Sequence, residues 1–173
     1  MSLKSDIDKI KSSIKFYEEF LKTVSEEAFV KNPAQGIWSY SEVYSHILSA
    51  NHMSLIALEK CLNKTTEIKA RKPHWKVRLI LFFGRFPPGK FKAPAQIAAT
   101  VKKISIEEAS NLIIKFKKKL DTLLTDFKKF DPKYKVKHPR LGFLDAKSWL
   151  RFIFIHTKHH QKQITRISKM LHQ

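Results

Sequence analysis

Along this chain apolar residues recur at alternating steps of three and four, the spacing that gathers side chains on one face of an α-helix. Ile7, Ile10, Ile14, Tyr17, Leu21, Val24 and Ala28 make the first such seam, similar to a coiled-coil seam over about three heptads. The Asn, Pro and Gly of "NPAQGIW" (32–38) end it. A second helix is expected from about Ser39 to Leu62, where "SYSE" offers a capping box with Ser39 as N-cap and Glu42 three residues on. Its inner stripe reads Val43, His46/Ile47, Ala50, Met53, Ala57 and Cys61. A third opens near Ser105 on "SIEE" and carries Ile106, Ala109, Ile113, Phe116, Leu120, Leu123, Phe127 and Phe130. The last starts at Asp145 or Ser148 and runs to about Leu171, with the stripe Trp149, Phe152/Ile153, His156, His160, Gln163/Ile164, Ile167 and Leu171.

Residues 63–104 break the pattern. Polar and basic "NKTTEIKARKPHWK" gives way to apolar "VRLILFFGRF" and then to "PPGKFKAPAQ", whose prolines cannot continue a helix. This reads as a long crossover between helices 2 and 3 that holds a short helix near 75–84 and covers one end of a bundle. Its aromatics, Trp75, Phe82, Phe83, Phe86 and Phe91, are expected to pack down, with a membrane-touching patch as the alternative. "DPKYKVKHPRLGFLD" (131–145) reads as a loop. Four amphipathic helices with short first and third connections and a long middle one make an all-α four-helix bundle, one domain over residues 1–173.

Composition changes this picture little, except in charge. The lone Cys61 excludes an internal disulfide and fits a reducing compartment. No apolar run approaches a bilayer span; the longest candidate is "LILFF" at 79–83, and the N-terminus has charges where a signal peptide needs an apolar core. The expectation is a cytoplasmic protein with no membrane partner. The net charge of +19, from 34 Lys+Arg against 15 Asp+Glu, attracts anions of many kinds. Most of those cations are lysines, which supply point charge without bidentate base reading, and no standard nucleic-acid motif is present. Weak non-specific attraction is therefore expected, and no specific nucleic-acid partner.

Candidate chemistry lies in the histidines. His156 and His160 occupy the centre of the last stripe, one turn apart, with Cβ atoms about 6 Å from each other. Two imidazoles at this spacing can share a metal, and His46 on the inner face of the second helix can supply a third nitrogen. They can also be hydrogen-bonded core residues, although neutral rings buried side by side still need partners. The segment "HTKHH" has Thr157 where a zincin helix carries its glutamate, which removes the metalloprotease reading. His159 lies about a hundred degrees off the stripe, as a reserve ligand at best. His52, His74, His138 and His172 read as solvated surface. Cys61 lies about 22 Å along the helix axis from His46 and reads as a small core residue.

"WSYSEVYSHIL" (38–48) and "HPRLGFLDAKSWLRFIFIHTKHHQKQI" (138–164) resemble the two signature regions of the DinB-like superfamily, the second in the pattern HPxxG…W…HxxxHxxQI. The resemblance implies a bundle of up-up-down-down order and a divalent metal, nickel or zinc, held by His46, His156 and His160. Relatives of this kind include thiol S-transferases that use bacillithiol, mycothiol or glutathione, and many are dimers. A homodimer and a metal-dependent thiol transferase acting on a small thiol and an electrophile are implied in turn. Trp38, Trp149 and Gln163 are candidates to line or support the site. The basic stretches Lys69–Lys76, Arg85–Lys92 and Lys133–Arg140 are candidates to attract an anionic thiol. The competing reading is a non-catalytic bundle that binds metal, or an anionic partner such as nucleic acid, through its basic surface.

Overall fold

The computed structural model describes residues 2–66, 68–69, 73–89 and 100–171. Helix α1, Leu3–Thr23, is capped by the Ser2 hydroxyl and buries Ile10, Ile14, Tyr17 and Leu21. The first seam does not run on to Ala28 in one helix. Val24 turns extended, and the Ser25 hydroxyl accepts a hydrogen bond from the Ala28 amide to restart the chain as α2, Glu26–Val30. A serine that satisfies the orphan amides of a new first turn competes with the continuing helix, and periodicity does not register the interruption. The break carries Phe29 into the core, edge-on to Tyr44.

Helix α3, Tyr40–Leu62, opens on the expected capping box, with both reciprocal bonds between Ser39 and Glu42 present. Its buried arc is broader than the expected stripe and rotated from it, because α3 packs against two neighbours. Val43, Tyr44, Ile47, Asn51, Leu55, Leu58 and Leu62 face inward, while Met53 is exposed. His46 therefore stands at the edge of the arc, half-buried, rather than at its centre. Helix α4, Trp75–Phe83, ends at Gly84, whose φ of +67° makes the left-handed cap. A Cβ there would also run into the Arg151 guanidinium, so two separate constraints ask for glycine.

Helix α5, Ile106–Thr125, follows its expected seam and passes into a 3₁₀ turn, Asp126–Lys129. The expected loop at 131–145 contains a hairpin, β1 (Val136–His138) against antiparallel β2 (Gly142–Leu144). Three-residue strands are too short for alternation to show in the sequence. Helix α6, Ala146–Leu171, starts at Asp145, whose carboxylate accepts from the Ser148 amide at 2.8 Å.

Side-chain pairings set the helix directions. Asp6 meets Arg151 and Tyr17 meets Thr157, so α1 and α6 run parallel. Tyr40 meets Ser168 and Asn51 meets Thr157, so α3 runs against α6. Glu18 meets Lys117 and Lys11 meets Asp121, which sets α5 against α1. The four long helices are thus ordered up-down-down-up, which corrects the up-up-down-down order expected above. Connection length is the physical reason. The first and third connections return the chain alongside the helix it has left, whereas the long crossover carries it back the full length of the bundle, so α5 starts parallel to α3.

Among the described residues no helix is long and apolar enough to cross a membrane. The core lies where the four helices meet, and two hydroxyls tie its middle: Tyr17 donates to the Thr157 carbonyl at 2.9 Å and Tyr44 to the Tyr17 carbonyl at 3.0 Å. Toward one end Arg151 is buried, paired with Asp6 and donating to the Leu81 and Phe82 carbonyls. This single side chain from α6 binds α1 to the C-terminus of α4.

Candidate metal centre

The antiparallel packing of α3 against α6 sets His46 across from His156 and His160. The Nε2 atoms of His46 and His156 are 3.2 Å apart, as are those of His156 and His160, and the ligand atoms of all three lie within 4.8 Å of one another. His156 and His160 are buried and His46 half-buried.

A chain of hydrogen bonds determines which nitrogen of His156 carries the proton. The Thr157 hydroxyl donates to the Ile153 carbonyl at 2.7 Å, so its oxygen is left to accept from the Asn51 Nδ2 at 2.9 Å. That orients the Asn51 amide with Oδ1 toward His156 Nδ1, at 3.4 Å. An amide oxygen only accepts, so Nδ1 holds the proton and Nε2 presents a lone pair to the cluster. The same logic applies to His160, whose Nδ1 lies 2.7 Å from the Gln163 Oε1.

Two lone pairs facing each other at 3.2 Å repel unless a cation or a proton lies between them. Protons are disfavoured here. Burial, then the neighbouring His160 and His46, push the His156 pKa well below its ordinary value; burial and His46 take His160 down to about 3, and burial and His159 take His46 down to about 4. A divalent ion fits the donor set: zinc–nitrogen bonds of about 2.0–2.1 Å in a tetrahedral site place the nitrogens about 3.3 Å apart. Asn51 and Gln163 then occupy the positions from which amide oxygens orient metal-binding imidazoles. Among the described residues no other trio of His, Cys, Asp or Glu is grouped this closely.

Aromatic rings surround the cluster. Trp38 lies 5.4 Å from His46, Phe152 stacks on His156 at 5.3 Å, and His159 meets His160 edge-on at 5.0 Å. Two of the three basic stretches reach this edge. Phe86, in the second, packs on His159 at 5.3 Å, and His138, in the third, packs on Phe152 at 4.5 Å. Residues 70–72 and 90–92 of the first and second stretches lie outside the described residues, as do Phe91 and His172.

His138 is not the surface residue expected. Its Nδ1 accepts from the Arg140 and Leu141 amides, each at 3.1 Å, its ring lies 5.2 Å from Trp149, and burial pushes its pKa down to about 4. His52 and His74 are exposed, as expected. Trp149 is buried, and its Nε1 donates to no described residue. Cys61 is a buried core thiol that contacts the Leu144 carbonyl, its pKa pushed up to about 11 by burial. Asn51 escaped the sequence reading; the available signal was an amide on the buried arc of a helix, five positions after a histidine.

A family profile, the DinB superfamily, matches residues 12–164. No curated protein sequence matches. Two solved structures share the fold. One is TT2238, described as a four-helix bundle protein, at a TM-score of 0.61 and 18% identity over 95% of this chain and 99% of that one. The other is YfiT from Bacillus subtilis, described as a probable metal-dependent hydrolase with an unusual four-helix bundle topology; its TM-score is 0.61 and its identity 16%, over 98% of this chain and 89% of that one.

Proposed function

The chain belongs to the DinB superfamily, and from that premise we propose that it is a metal-dependent enzyme that transfers a small anionic thiol to an electrophilic carbon. One observation carries the metal part: three neutral imidazoles converge through Nε2, two of them held by amide oxygens on the opposite nitrogen. His46, His156 and His160 would hold a divalent nickel or zinc ion, which would supply the Lewis acidity that ionises a thiol or a water at neutral pH.

The chain's own residues then have separable tasks. His46, His156 and His160 offer the lone pairs, while Asn51 and Gln163 fix the ring orientations. Trp38, Phe152 and Phe86 limit water at the cluster's edge. The basic stretches around Phe86 and His138 draw in an anionic cosubstrate of the bacillithiol, mycothiol or glutathione class. In the reaction the thiol gives up its proton to water, sulfur bonds to the electrophilic carbon, and the leaving group departs with the electron pair of the bond that breaks.

Titration of the purified protein with Ni²⁺ and Zn²⁺ tests the site, with an expected stoichiometry of one ion per chain that His160→Ala removes. Equal binding by the variant would sink the reading. Thiol chemistry is tested on the metal-loaded protein with several low-molecular-weight thiols and a haloarene electrophile. Metal-dependent turnover that requires the thiol supports transfer. Hydrolysis of an activated ester without any thiol would instead favour a hydrolase, the class of enzyme that YfiT is described as.

A further inference from the structure

Helix α4 has two apolar faces, and among the described residues only one of them packs against the bundle. Val77 is buried, and Ile80 and Leu81 pack against the core, while Arg151 holds the Leu81 and Phe82 carbonyls from beneath. On the other side Trp75, Leu79, Phe82 and Phe83 recur at i, i+4, i+7 and i+8 and are 59%, 44%, 71% and 61% exposed. Lys76 and Arg78, both exposed, fall on the two flanks of this stripe. The aromatics of the crossover therefore do not pack down as a set. Among those described, Phe86 does so, and Trp75, Phe82 and Phe83 point away from the core.

Charge separates the occupants this face can have. Between Ile68 and Ile106 the chain carries ten Lys and Arg and no Asp or Glu. A second copy seated on this face would oppose cation to cation with no acid in the segment to offset it. A large apolar stripe is also wasted on a nucleic-acid duplex, whose backbone is contacted by polar and cationic groups. Large apolar side chains in the middle with cations on both flanks suit the boundary of an anionic bilayer: the rings enter the headgroup and acyl region, and the cations stay at the phosphates. We propose that the outer face of α4 is a docking surface for an anionic phospholipid bilayer, held peripherally by Trp75, Leu79, Phe82 and Phe83 and flanked by Lys76 and Arg78.

Co-sedimentation of the full chain with vesicles at about 150 mM salt tests this. Vesicles of phosphatidylcholine with about 30% phosphatidylglycerol should bind, and phosphatidylcholine alone should not. Binding should shift tryptophan emission to the blue, and Trp75→Phe should remove that shift. Phe82→Ser/Phe83→Ser and Lys76→Gln/Arg78→Gln should each weaken binding by about tenfold or more. Because these side chains are exposed, the melting temperature and the metal titration should not change. Failure to bind anionic vesicles overturns the proposal, and so does unchanged binding by the Phe82→Ser/Phe83→Ser variant, which would leave charge as the sole cause. A dimer that this variant makes monomeric, with vesicles ignored, would assign the face to a second copy. Capture of single-stranded DNA in preference to vesicles, lost in the same variant, would assign it to nucleic acid.

Discussion

Asn51 decides which nitrogen of His156 faces the cluster, and it can do so because Thr157 commits its own proton to the Ile153 carbonyl. Removing the amide leaves His156 free to swap tautomers and to rotate. Asn51→Ala should therefore weaken metal binding by about 10–100-fold without changing the stoichiometry, as read by competition with a chelator. Unchanged affinity would show that the ring is held by packing alone. The sequence made the three histidines legible because two lie at i and i+4 on one stripe and the third on a facing helix. Asn51 stayed hidden for a physical reason: its hydroxyl partner is 106 positions away, and no local spacing records a hydrogen bond made across a bundle.

Among the elements, those defined by local chemistry were readable and those defined by a partner were not. Ser39 and Glu42 announce the start of α3, since a capping box is satisfied within four residues. Ser39→Ala should cost about 1 kcal/mol of stability, measured as a shift in the urea midpoint at unchanged slope. The α1–α2 break, by contrast, becomes intelligible only once Phe29 is seen against Tyr44. Phe29→Ala should destabilise by about 3–5 kcal/mol, far more than truncation of an exposed phenylalanine such as Phe83, because it opens a cavity beneath Tyr44. The outward turn of Trp75, Phe82 and Phe83 was illegible for the same reason as the break: hydrophobicity says that a face wants cover but does not say what provides it.

For the whole molecule, pH and charge are the relevant variables. In the unfolded chain a histidine takes up a proton near pH 6.5, whereas in the fold His46 and His138 do so near about 4 and His160 near about 3. Between those limits the unfolded chain binds more protons. Stability is therefore present in full above pH 6.5, falls as the pH drops through about 4 toward about 3, and these three rings cost no more once they also titrate in the fold. Thermal melts in chelator should show this acid-side loss, and His138→Gln should flatten part of it. Metal in hundredfold excess over its dissociation constant should add about 2.7 kcal/mol at neutral pH. The +19 charge should give DNA affinity that falls steeply with salt and does not depend on base sequence; a marked sequence preference in competition binding would contradict this. The direction of each helix was within reach of the connection lengths, since a short connection reverses the chain and a long one carries it back.

The Asp6–Arg151 pair joins residues 145 positions apart, and the same guanidinium holds the last carbonyls of α4. The first turn of α1 thus works as the latch of a helix that begins only at Trp75. Asp6→Asn should take the carboxylate charge away from the buried guanidinium, weaken its hold and open the latch. Under limited trypsin digestion, cleavage should then move to Lys76 and Arg78, while the four long helices resist. A protease would read, at α4, an event that took place at the first turn of the chain.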